Sequence, residues 1–206
     1  MNRIIEYNHI LDLDMLSEKP VIIDAGANVG EYVDKIESLG VGAMIIAIEC
    51  SKSNYPKVNT KSKDNIIVLN SALGGESGVA TFTEFVGPKK PDGNVKYSKW
   101  GNINGNFKKK LKRESVEIRE YSVDVITLGD IIVKYKLDSI DFLKMDIEGG
   151  EYDVIESMDD MISKKIHQIS IETHNIEKNP HLIRKLIKLG YVVEEHKGLE
   201  IYAYRK

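Results

Sequence analysis

The sequence predicts an α/β fold, in which a mostly parallel seven-stranded sheet carries helices on both faces and closes on a C-terminal β-hairpin. Short apolar runs rich in β-branched residues alternate with segments whose apolar residues recur at helical spacing. This alternation is typical of parallel sheets with crossover helices. The first apolar run, 21–25, also passes through a glycine-containing turn into a helical segment at Glu31, as in a nucleotide-type α/β unit.

The remaining elements follow in chain order. Apolar runs predict four further parallel strands, at 44–49, 66–70, 140–146 and 166–172. Helical spacing predicts helices at 128–135, 151–162 and 180–189. Gly190 stops the last helix, and 191–195 with 199–204 form the closing hairpin. An antiparallel hairpin at the end of a parallel sheet is typical of the Rossmann-like Class I methyltransferases and not of dehydrogenases.

Length and composition fit one domain over 1–206, because 42% apolar residues suffice for a substantial core. No apolar stretch reaches the roughly 18 residues of a membrane span, and the N-terminus lacks a signal-peptide core, so we expect a cytoplasmic protein. Cys50 is the only cysteine, which excludes an intrachain disulfide and a thiolate metal cluster. The segment 1–19 has apolar residues mostly at helical spacing, which predicts a helix packed on the domain or on a second subunit.

The turn after the first strand has the pattern D-x-G-x-N-x-G. Dinucleotide dehydrogenases use G-x-G-x-x-G here, but an Asp occupies the first glycine position. Glycines let the backbone approach a ligand, and the helix N-terminus presents amide donors. An Asp suits a cationic amine better than a pyrophosphate. The residues predicted to contact this ligand are Asp24, Gly26, Ala27, Asn28 and Gly30.

An acid also ends the second predicted strand. Glu49 follows Asp24 by 25 residues, and an acid at this place accepts hydrogen bonds from a ribose diol. The ordered set suits S-adenosylmethionine, with Asp24 towards its ammonium, backbone amides towards its carboxylate and Glu49 towards its ribose. The alternative is that both acids are simply exposed strand tips.

Four further residues are candidate neighbours of this cofactor. Cys50 and Ser51 follow Glu49 directly, and Ser71 and Ala72 follow the third strand, where methyltransferases of this class hold the adenine. The alternatives are that Cys50 only packs in the core, that Ser51 only caps a helix, and that the other two form an ordinary strand exit.

Charged residues collect where the fourth and fifth predicted strands end. Lys144 and Asp146 end the fourth strand, and Glu148 follows at a Gly-Gly turn. Glu172 and His174 end the fifth strand and point to the same side, because side chains alternate along a strand. If the two strands are neighbours, Asp146, Glu172 and His174 gather at one edge of the sheet.

Four segments carry a family resemblance: DAGANVG at 24–30, SVDVITLGD at 122–130, LKMDIEGGE at 143–151 and IETH at 171–174. Together they resemble the FkbM family of S-adenosylmethionine-dependent methyltransferases, and the K-x-D-x-E-G-x-E order is the most specific signal. The resemblance runs from about Pro20 to Tyr204. It implies a Class I fold and O-methylation of a hydroxyl on a sugar, polyketide or similar metabolite. Gly129 departs from the T-L-D-D pattern of the family, which affects a helix cap more than the chemistry.

Methyl transfer to a hydroxyl needs in-line alignment and either a general base or a metal that lowers the hydroxyl pKa. Asp146 is a candidate base and a candidate oxygen ligand. Glu172 and His174 are the other candidate ligands of a divalent metal, with Mg²⁺ the default. Lys144 either orients the acceptor or, if desolvated, acts as the base. The alternatives are a Lys144 paired to a glutamate of the same loop and a His174 that is only exposed or hydrogen-bonded.

The segment 87–120 differs in charge from the rest of the chain. Its ten basic and four acidic residues give +6, which leaves −9 for the remainder of a chain of net charge −3. A basic insert or lid on an acidic body indicates an anionic acceptor, such as a phosphorylated glycan, a nucleotide-linked sugar or a nucleic acid. The candidate acceptor contacts are Lys96, Tyr97, Trp100 and, outside the segment, Glu148. A solvated loop whose lysines only aid solubility is the alternative.

The sequence therefore predicts a cytoplasmic S-adenosylmethionine-dependent O-methyltransferase acting on a sugar, glycan or related metabolite. Two alternatives stay open, an RNA-modifying methyltransferase that uses the basic insert and a cofactor-binding subunit without turnover. A homo-oligomer is compatible with each of these functions.

Overall fold

The computed structural model describes residues 2–86, 100–102, 117–196 and 199–205. Its strands are β1 (Arg3–Glu6), β2 (His9–Asp12), β3 (Val21–Ala25), β4 (Met44–Ile48), β5 (Ile66–Leu69), β6 (Ala72–Leu73), β7 (Gly78–Val86), β8 (Trp100–Asn102), β9 (Glu117–Ile126), β10 (Ile140–Met145), β11 (Ile166–Glu172), β12 (Val192–His196) and β13 (Glu200–Tyr204). Its α-helices are α1 (Glu31–Ser38), α2 (Tyr55–Asn59), α3 (Leu128–Tyr135), α4 (Glu151–Ser157), α5 (Asp160–Ser163) and α6 (Asn179–Lys188). Within these described ranges, none of the helices has the length and apolar character needed to cross a membrane.

A seven-stranded sheet forms the centre of the fold, in the order β12-β13-β11-β10-β3-β4-β5. The strands from β11 to β5 pair in parallel, and β13 and β12 are added antiparallel. This confirms the predicted mostly parallel sheet with its C-terminal hairpin. The chain runs outward from β3 to β5 and then returns to place β10 on the other side of β3. Ligands of such sheets bind at this reversal, outside the carboxyl ends of the strands.

Helices cover both faces of the sheet, as predicted, because neighbouring strand residues point to opposite sides. Ile22 packs in one buried cluster with Val33 of α1 and with Val58 of α2. Its neighbour Ile23 packs in a second buried cluster with Ile131 of α3 and with residues of α4 and α6. The near-continuous apolar strands therefore have a core on each side.

The prediction of a helix over 1–19 is wrong. The strands β1 and β2 form an antiparallel hairpin, followed by a short 3-10 turn at Leu13–Met15. Tyr7 and Asn8 connect the strands with φ angles of 50° and 67°, the left-handed backbone that a two-residue hairpin turn requires. Apolar spacing in this segment resembled a helix, but the turn residues and the pairing with the rest of the domain decide the structure.

Polar side chains of β11 hold the hairpin on the domain. The Gln168 side chain accepts a hydrogen bond from the backbone amide of Asp12 at 2.9 Å and donates to its carbonyl at 3.1 Å. Two residues further along β11, on the same face, the Ser170 hydroxyl accepts a hydrogen bond from the amide of Ile10 at 3.1 Å. These contacts satisfy buried backbone groups of β2, and they bring the hairpin turn to the carboxyl edge of the sheet.

The predicted helix 151–162 is broken into α4 and α5. Met158 has an extended backbone, with φ −68° and ψ 122°. The Asp159 side chain then accepts a hydrogen bond from the amide of Ile162 at 2.8 Å and starts α5. A buried Met158 and an N-capping Asp stop the helix although the apolar spacing continues. The predicted end of the later helix at Gly190 is confirmed by its φ of 90°.

A second, four-stranded sheet in the order β6-β9-β7-β8 was not predicted. The strands β7 and β9 pair antiparallel from Gly78↔Val125 to Val86↔Glu117. The predicted basic segment 87–120 therefore begins at the end of β7, and its last four residues belong to β9. Its residues 100–102 form β8 on β7, and 87–99 and 103–116 lie outside the described residues.

Gly26 brings the turn after β3 against the end of β10. Its φ is 76°, and a Cβ atom there would lie 1.8 Å from the carbonyl oxygen of Asp146. The amide of Asp146 also donates to the carbonyl of Ala25 at 3.1 Å. The glycine turn and the loop after β10 are therefore in backbone contact, which leaves no room for a side chain at Gly26.

We expect Gly26→Ala to destabilise the fold by more than about 3 kcal/mol, since the new methyl group meets backbone that cannot move aside. Gly42→Ala is the matched control, because Gly42 also has a positive φ, 67°, but has nothing within 4 Å of the added carbon. That control should lose only about 1–2 kcal/mol. Urea unfolding of both variants measures the difference, and equal losses would show that close packing at Gly26 is unimportant.

Candidate active site

A pocket of about 300 Å³ opens at the carboxyl edge where the strand order reverses. This volume is in the range of small-molecule sites. The residues that line it are Tyr7, Asn8, Gly26, Ala27, Asn28, Glu31, Tyr32, Lys144, Asp146, Glu148 and Glu172. The structure thus brings the glycine turn, the K-x-D-x-E segment and the end of β11 into one site. Gly30 ends the turn with a φ of 87° but does not line the described pocket.

An ion pair between Lys144 and Asp24 lies beneath the pocket. The two residues are register partners on β10 and β3, and Lys144 Nζ lies 2.9 Å from Asp24 Oδ1. Nζ also donates to the carbonyl of Gly26 at 3.1 Å. Neither Asp24 oxygen has a hydrogen bond of regular geometry among the described residues, so charge attraction is the main contact of this carboxylate.

The pairing corrects two interpretations of Lys144. Burial lowers the pKa of Lys144, but the nearby Asp24 and Asp146 carboxylates raise it, and the net shift is upward. Lys144 therefore keeps its proton and is not the general base, and its partner is Asp24 rather than a glutamate of its own loop. Asp24 is fully buried and does not line the pocket, so its contact with a cofactor ammonium stays a prediction.

Glu49 holds the backbone on two sides at the end of β4. Its carboxylate accepts hydrogen bonds from the amide of Asn28 at 2.8 Å and from the amide of Ser51 at 2.6 Å. Burial raises the pKa of Glu49 to about 7, although these amides oppose the shift. Glu49 is thus a buried acid and not an exposed strand tip. It joins the glycine turn to the segment that follows β4.

The two glutamates that follow β10 have different environments. Glu151 is fully buried, and its Oε1 accepts from the amides of Ile147 at 3.0 Å and Gly149 at 3.2 Å. This carboxylate shapes the loop rather than meeting a ligand. Glu148 lines the pocket and has a φ of 55°, an unusual conformation for a residue with a side chain. The hydrogen bonds to Glu151 hold the backbone that displays Glu148.

His174 is surrounded by carboxylates of this loop. Its Nδ1 lies 3.0 Å from Glu151 Oε1, and its Nε2 lies 3.3 Å from Glu148 Oε2 and 3.7 Å from Asp146 Oδ1. Burial lowers the pKa of His174, but Glu151 and the other acids raise it, to about 9. Both nitrogens of the imidazole therefore lie against carboxylates, and Asp146, Glu148 and His174 form a group whose donor atoms lie within 4.8 Å of one another.

The structure adds a residue that the sequence did not single out. His9 of β2 lies with Asp146 and Glu172 in a group whose donor atoms are all within 4.8 Å of one another. The hairpin turn residues Tyr7 and Asn8 also line the pocket. No spacing rule pointed to them, because they reach the site only through the docking of the hairpin on β11.

Cys50 and Ser51 follow β4, and Ser71 and Ala72 follow β5. The Ser51 hydroxyl accepts from the amides of Ser53 and Asn54 at 3.1 Å, which holds the turn before α2. The helix itself begins at Tyr55 with Asn54 as its N-cap residue, so Ser51 is not its cap. The hydroxyl also donates to the buried Glu84 at 2.5 Å. Cys50 packs on a small cluster that contains Ala72, and burial raises the pKa of its thiol.

These residues and Ser71 do not line the pocket within the described part of the chain. Their predicted contact with adenine stays a prediction. Of the predicted acceptor contacts, Glu148 lines the pocket, the backbone of Trp100 lies in β8, and Lys96 and Tyr97 lie outside the described residues.

Comparison with known families decides what kind of protein this is. The model of the methyltransferase FkbM domain matches residues 24–193. The protein belongs to the FkbM methyltransferase family. The match includes all four segments on which the resemblance rested. This FkbM protein is therefore an S-adenosylmethionine-dependent methyltransferase, as the motifs predicted.

One of the similar proteins is itself named a methyltransferase. Methyltransferase sdnD of Sordaria araneosa is 26% identical over 221 aligned residues, which cover 94% of this chain and 79% of that protein. The AMB antimetabolite synthetase AmbE of Pseudomonas aeruginosa PAO1 is 27% identical over 149 residues, which cover 72% of this chain and 6% of that protein. Among solved structures, the fibrillarin pre-rRNA processing protein of Methanococcus jannaschii has a TM-score of 0.50 at 9% identity, covering 95% of this chain and 69% of that one. At this identity the likeness shows the fold alone.

The residues of the pocket fit the cofactor of the FkbM family. Asn28 Oδ1 is buried without a hydrogen-bond partner among the described residues, and it would accept a bond from the ammonium group. Gly26 lines the pocket, and the absence of a side chain there lets the turn lie against the carbonyl of Asp146. Glu49 accepts from the Asn28 amide but does not line the pocket, so its contact with the ribose stays a prediction.

Replacing Lys144 by Met should cost about 3–5 kcal/mol, because it leaves the carboxylate of Asp24 buried without its cation. In the Asp24→Asn, Lys144→Met double variant the loss should be clearly smaller than the sum of the two single losses. Urea unfolding of the four proteins gives the coupling energy, and additive losses would contradict a direct ion pair.

Glu49 should make the stability of the protein depend on pH. Because its folded pKa is raised to about 7, the folded state binds its proton more tightly than the unfolded state does. Stability should therefore fall by roughly 1–3 kcal/mol as the pH rises from about 4.5 to about 7.

Glu49→Gln should remove this component of the pH profile, although its amide group faces a backbone donor and lowers stability at every pH. Glu37→Gln is the control, because Glu37 pairs at the surface with Lys63. Unfolding free energies measured across this pH range test the idea, and a profile unchanged in Glu49→Gln would reject it.

Proposed function

We propose that this FkbM methyltransferase transfers the methyl group to a hydroxyl oxygen of a sugar, glycan or similar polyhydroxylated metabolite. The observation that supports this is that three acids from the ends of β10 and β11 line the pocket: Asp146, Glu148 and Glu172. An ionised carboxylate accepts hydrogen bonds and donates none, whereas every hydroxyl has a proton to donate. Several acids in one small pocket therefore suit an acceptor with several hydroxyl groups.

The cofactor supplies an electrophilic methyl group on a sulfonium, and the chain supplies alignment and proton acceptance. Gly26 and Asn28 would hold the amino-acid end, and Asp146 and Glu148 of the loop after β10 line the same pocket. As the acceptor oxygen bonds to the methyl carbon and the sulfur takes the electrons of the broken bond, the hydroxyl proton passes to Asp146 or Glu148. Lys144 stays protonated and keeps the floor of the pocket fixed.

The charge of the pocket bears on the nature of the acceptor. Its lining contains four carboxylates and one ammonium group, those of Glu31, Asp146, Glu148, Glu172 and Lys144. This balance favours a neutral acceptor in the pocket itself. An anionic acceptor, and equally the RNA alternative, would depend on the basic residues of 87–120, most of which lie outside the described residues. A cytoplasmic location and a homo-oligomer stay predictions.

The family and the intact motif favour turnover over a non-catalytic subunit. To test the acceptor, the protein is incubated with S-adenosylmethionine and a panel of free sugars, nucleotide-linked sugars, polyketide alcohols and RNA. We expect a methyl ether on a polyhydroxylated small molecule, detected by mass spectrometry. Methylation of RNA alone, or of nitrogen alone, would overturn the proposal.

Asp146→Asn should lower kcat for the identified acceptor by about 100-fold or more, because it removes a carboxylate from the reacting hydroxyl. Asp64→Asn is the matched control, since Asp64 is exposed and distant from the motif. Steady-state kinetics measure the effect, and thermal unfolding checks that both variants are folded. Unchanged kcat in a folded Asp146→Asn protein would remove Asp146 from the mechanism.

A further inference from the structure

We propose that His9, Asp146 and Glu172 form a binding site for one divalent cation, of the Mn²⁺ or Mg²⁺ type, at the wall of the pocket. One ring nitrogen of His9 and one carboxylate oxygen from each acid lie within 4.8 Å of one another. Two ligands of Mg²⁺ lie at most about 4.2 Å apart at bond lengths of about 2.1 Å, so one cation can bind three such atoms together after small side-chain rotations. Carboxylates with one imidazole are a donor set that Mn²⁺ accepts.

The His9 side chain is the observation that separates this group from an ordinary acidic cluster. His9 is 1% exposed, and its Nδ1 lies 3.1 Å from the Ser170 hydroxyl. Its Nε2 is buried and has no hydrogen-bond partner among the described residues. A buried polar atom left without a partner is costly. When Nδ1–H donates to Ser170, Nε2 presents its lone pair, which is the usual arrangement of a metal-bound histidine.

The other histidine near Asp146 is not equivalent. His174 has Nδ1 on Glu151 and Nε2 on Glu148, so both of its nitrogens are in ion pairs. Nε2 of His9, by contrast, has no hydrogen-bond partner among the described residues. The sequence placed His174 with Asp146 and Glu172 in a metal site. The structure groups His174 with Asp146 and Glu148, and it groups His9 with Asp146 and Glu172.

The surrounding charges also suit a cation. The carboxylate oxygens of Asp146 and Glu172 lie within 4.8 Å of each other, so their negative charges repel. A cation between these two acids would remove this repulsion. Lys144 is the opposing charge, but Asp24 already pairs with it at 2.9 Å. The net charge of the two acids and the neutral imidazole is −2, which a divalent cation balances.

A cation here would lie where the proposed acceptor hydroxyl reaches Asp146, and it would lower the pKa of that hydroxyl. This use of the cation rests on the proposed function. The binding of the cation does not, because it needs only the three side chains and not the acceptor. Cation binding and hydroxyl methylation can therefore fail independently.

The test is a titration of the purified full-length protein with Mn²⁺, followed by electron paramagnetic resonance of the free ion. We expect one Mn²⁺ per chain, displaced by excess Mg²⁺. Electron spin echo envelope modulation should show one coordinated imidazole nitrogen. His9→Gln should lose this nitrogen signal and weaken Mn²⁺ binding at least about tenfold.

His181→Gln is the matched control, because His181 is exposed and pairs only with Glu156 at the surface; it should change neither signal nor affinity. Glu172→Gln, at the half-buried end of β11, provides a second variant if His9→Gln does not fold. No Mn²⁺ binding at millimolar concentration would overturn the proposal. So would binding that both site variants leave unchanged, or a nitrogen signal that persists in His9→Gln.

Discussion

The buried ion pair between Lys144 and Asp24 is the constraint on which the site depends. It joins neighbouring residues at the ends of the two central strands, β10 and β3, where the strand order reverses. The same ammonium group donates to the carbonyl of Gly26, so one charge fixes both strand ends and the start of the cofactor turn. Since neither charge is stable alone in this interior, the floor of the pocket keeps one geometry.

The acids around the pocket have two different roles. Glu49 and Glu151 accept hydrogen bonds from backbone amides and shape the turns on either side of the pocket. Asp146, Glu148 and Glu172 instead face the pocket itself. Acids that look alike along the sequence therefore differ in function, because the backbone amides around them differ. The protein uses some carboxylates to build the loops that display the others.

The N-terminal hairpin completes the site from outside the motif-bearing part of the chain. Gln168 and Ser170 lie on one face of β11, and they bind the hairpin where Glu172 of the same face reaches the pocket. Alternation along a single strand thus sets both the docking of the hairpin and the wall of the site. His9 enters the site as a consequence of this docking.

The sequence by itself determined the seven strands of the main sheet, the glycine turn and the family, because these depend on local apolar patterns and on short motifs. It also indicated that Asp146 and Glu172 meet, since parallel neighbouring strands end at one edge. Only the tertiary structure decided that Lys144 pairs with Asp24, that both nitrogens of His174 are engaged, and that His9 lies in the site. Each of these outcomes depends on side chains distant in sequence and on burial, and local spacing contains neither kind of information.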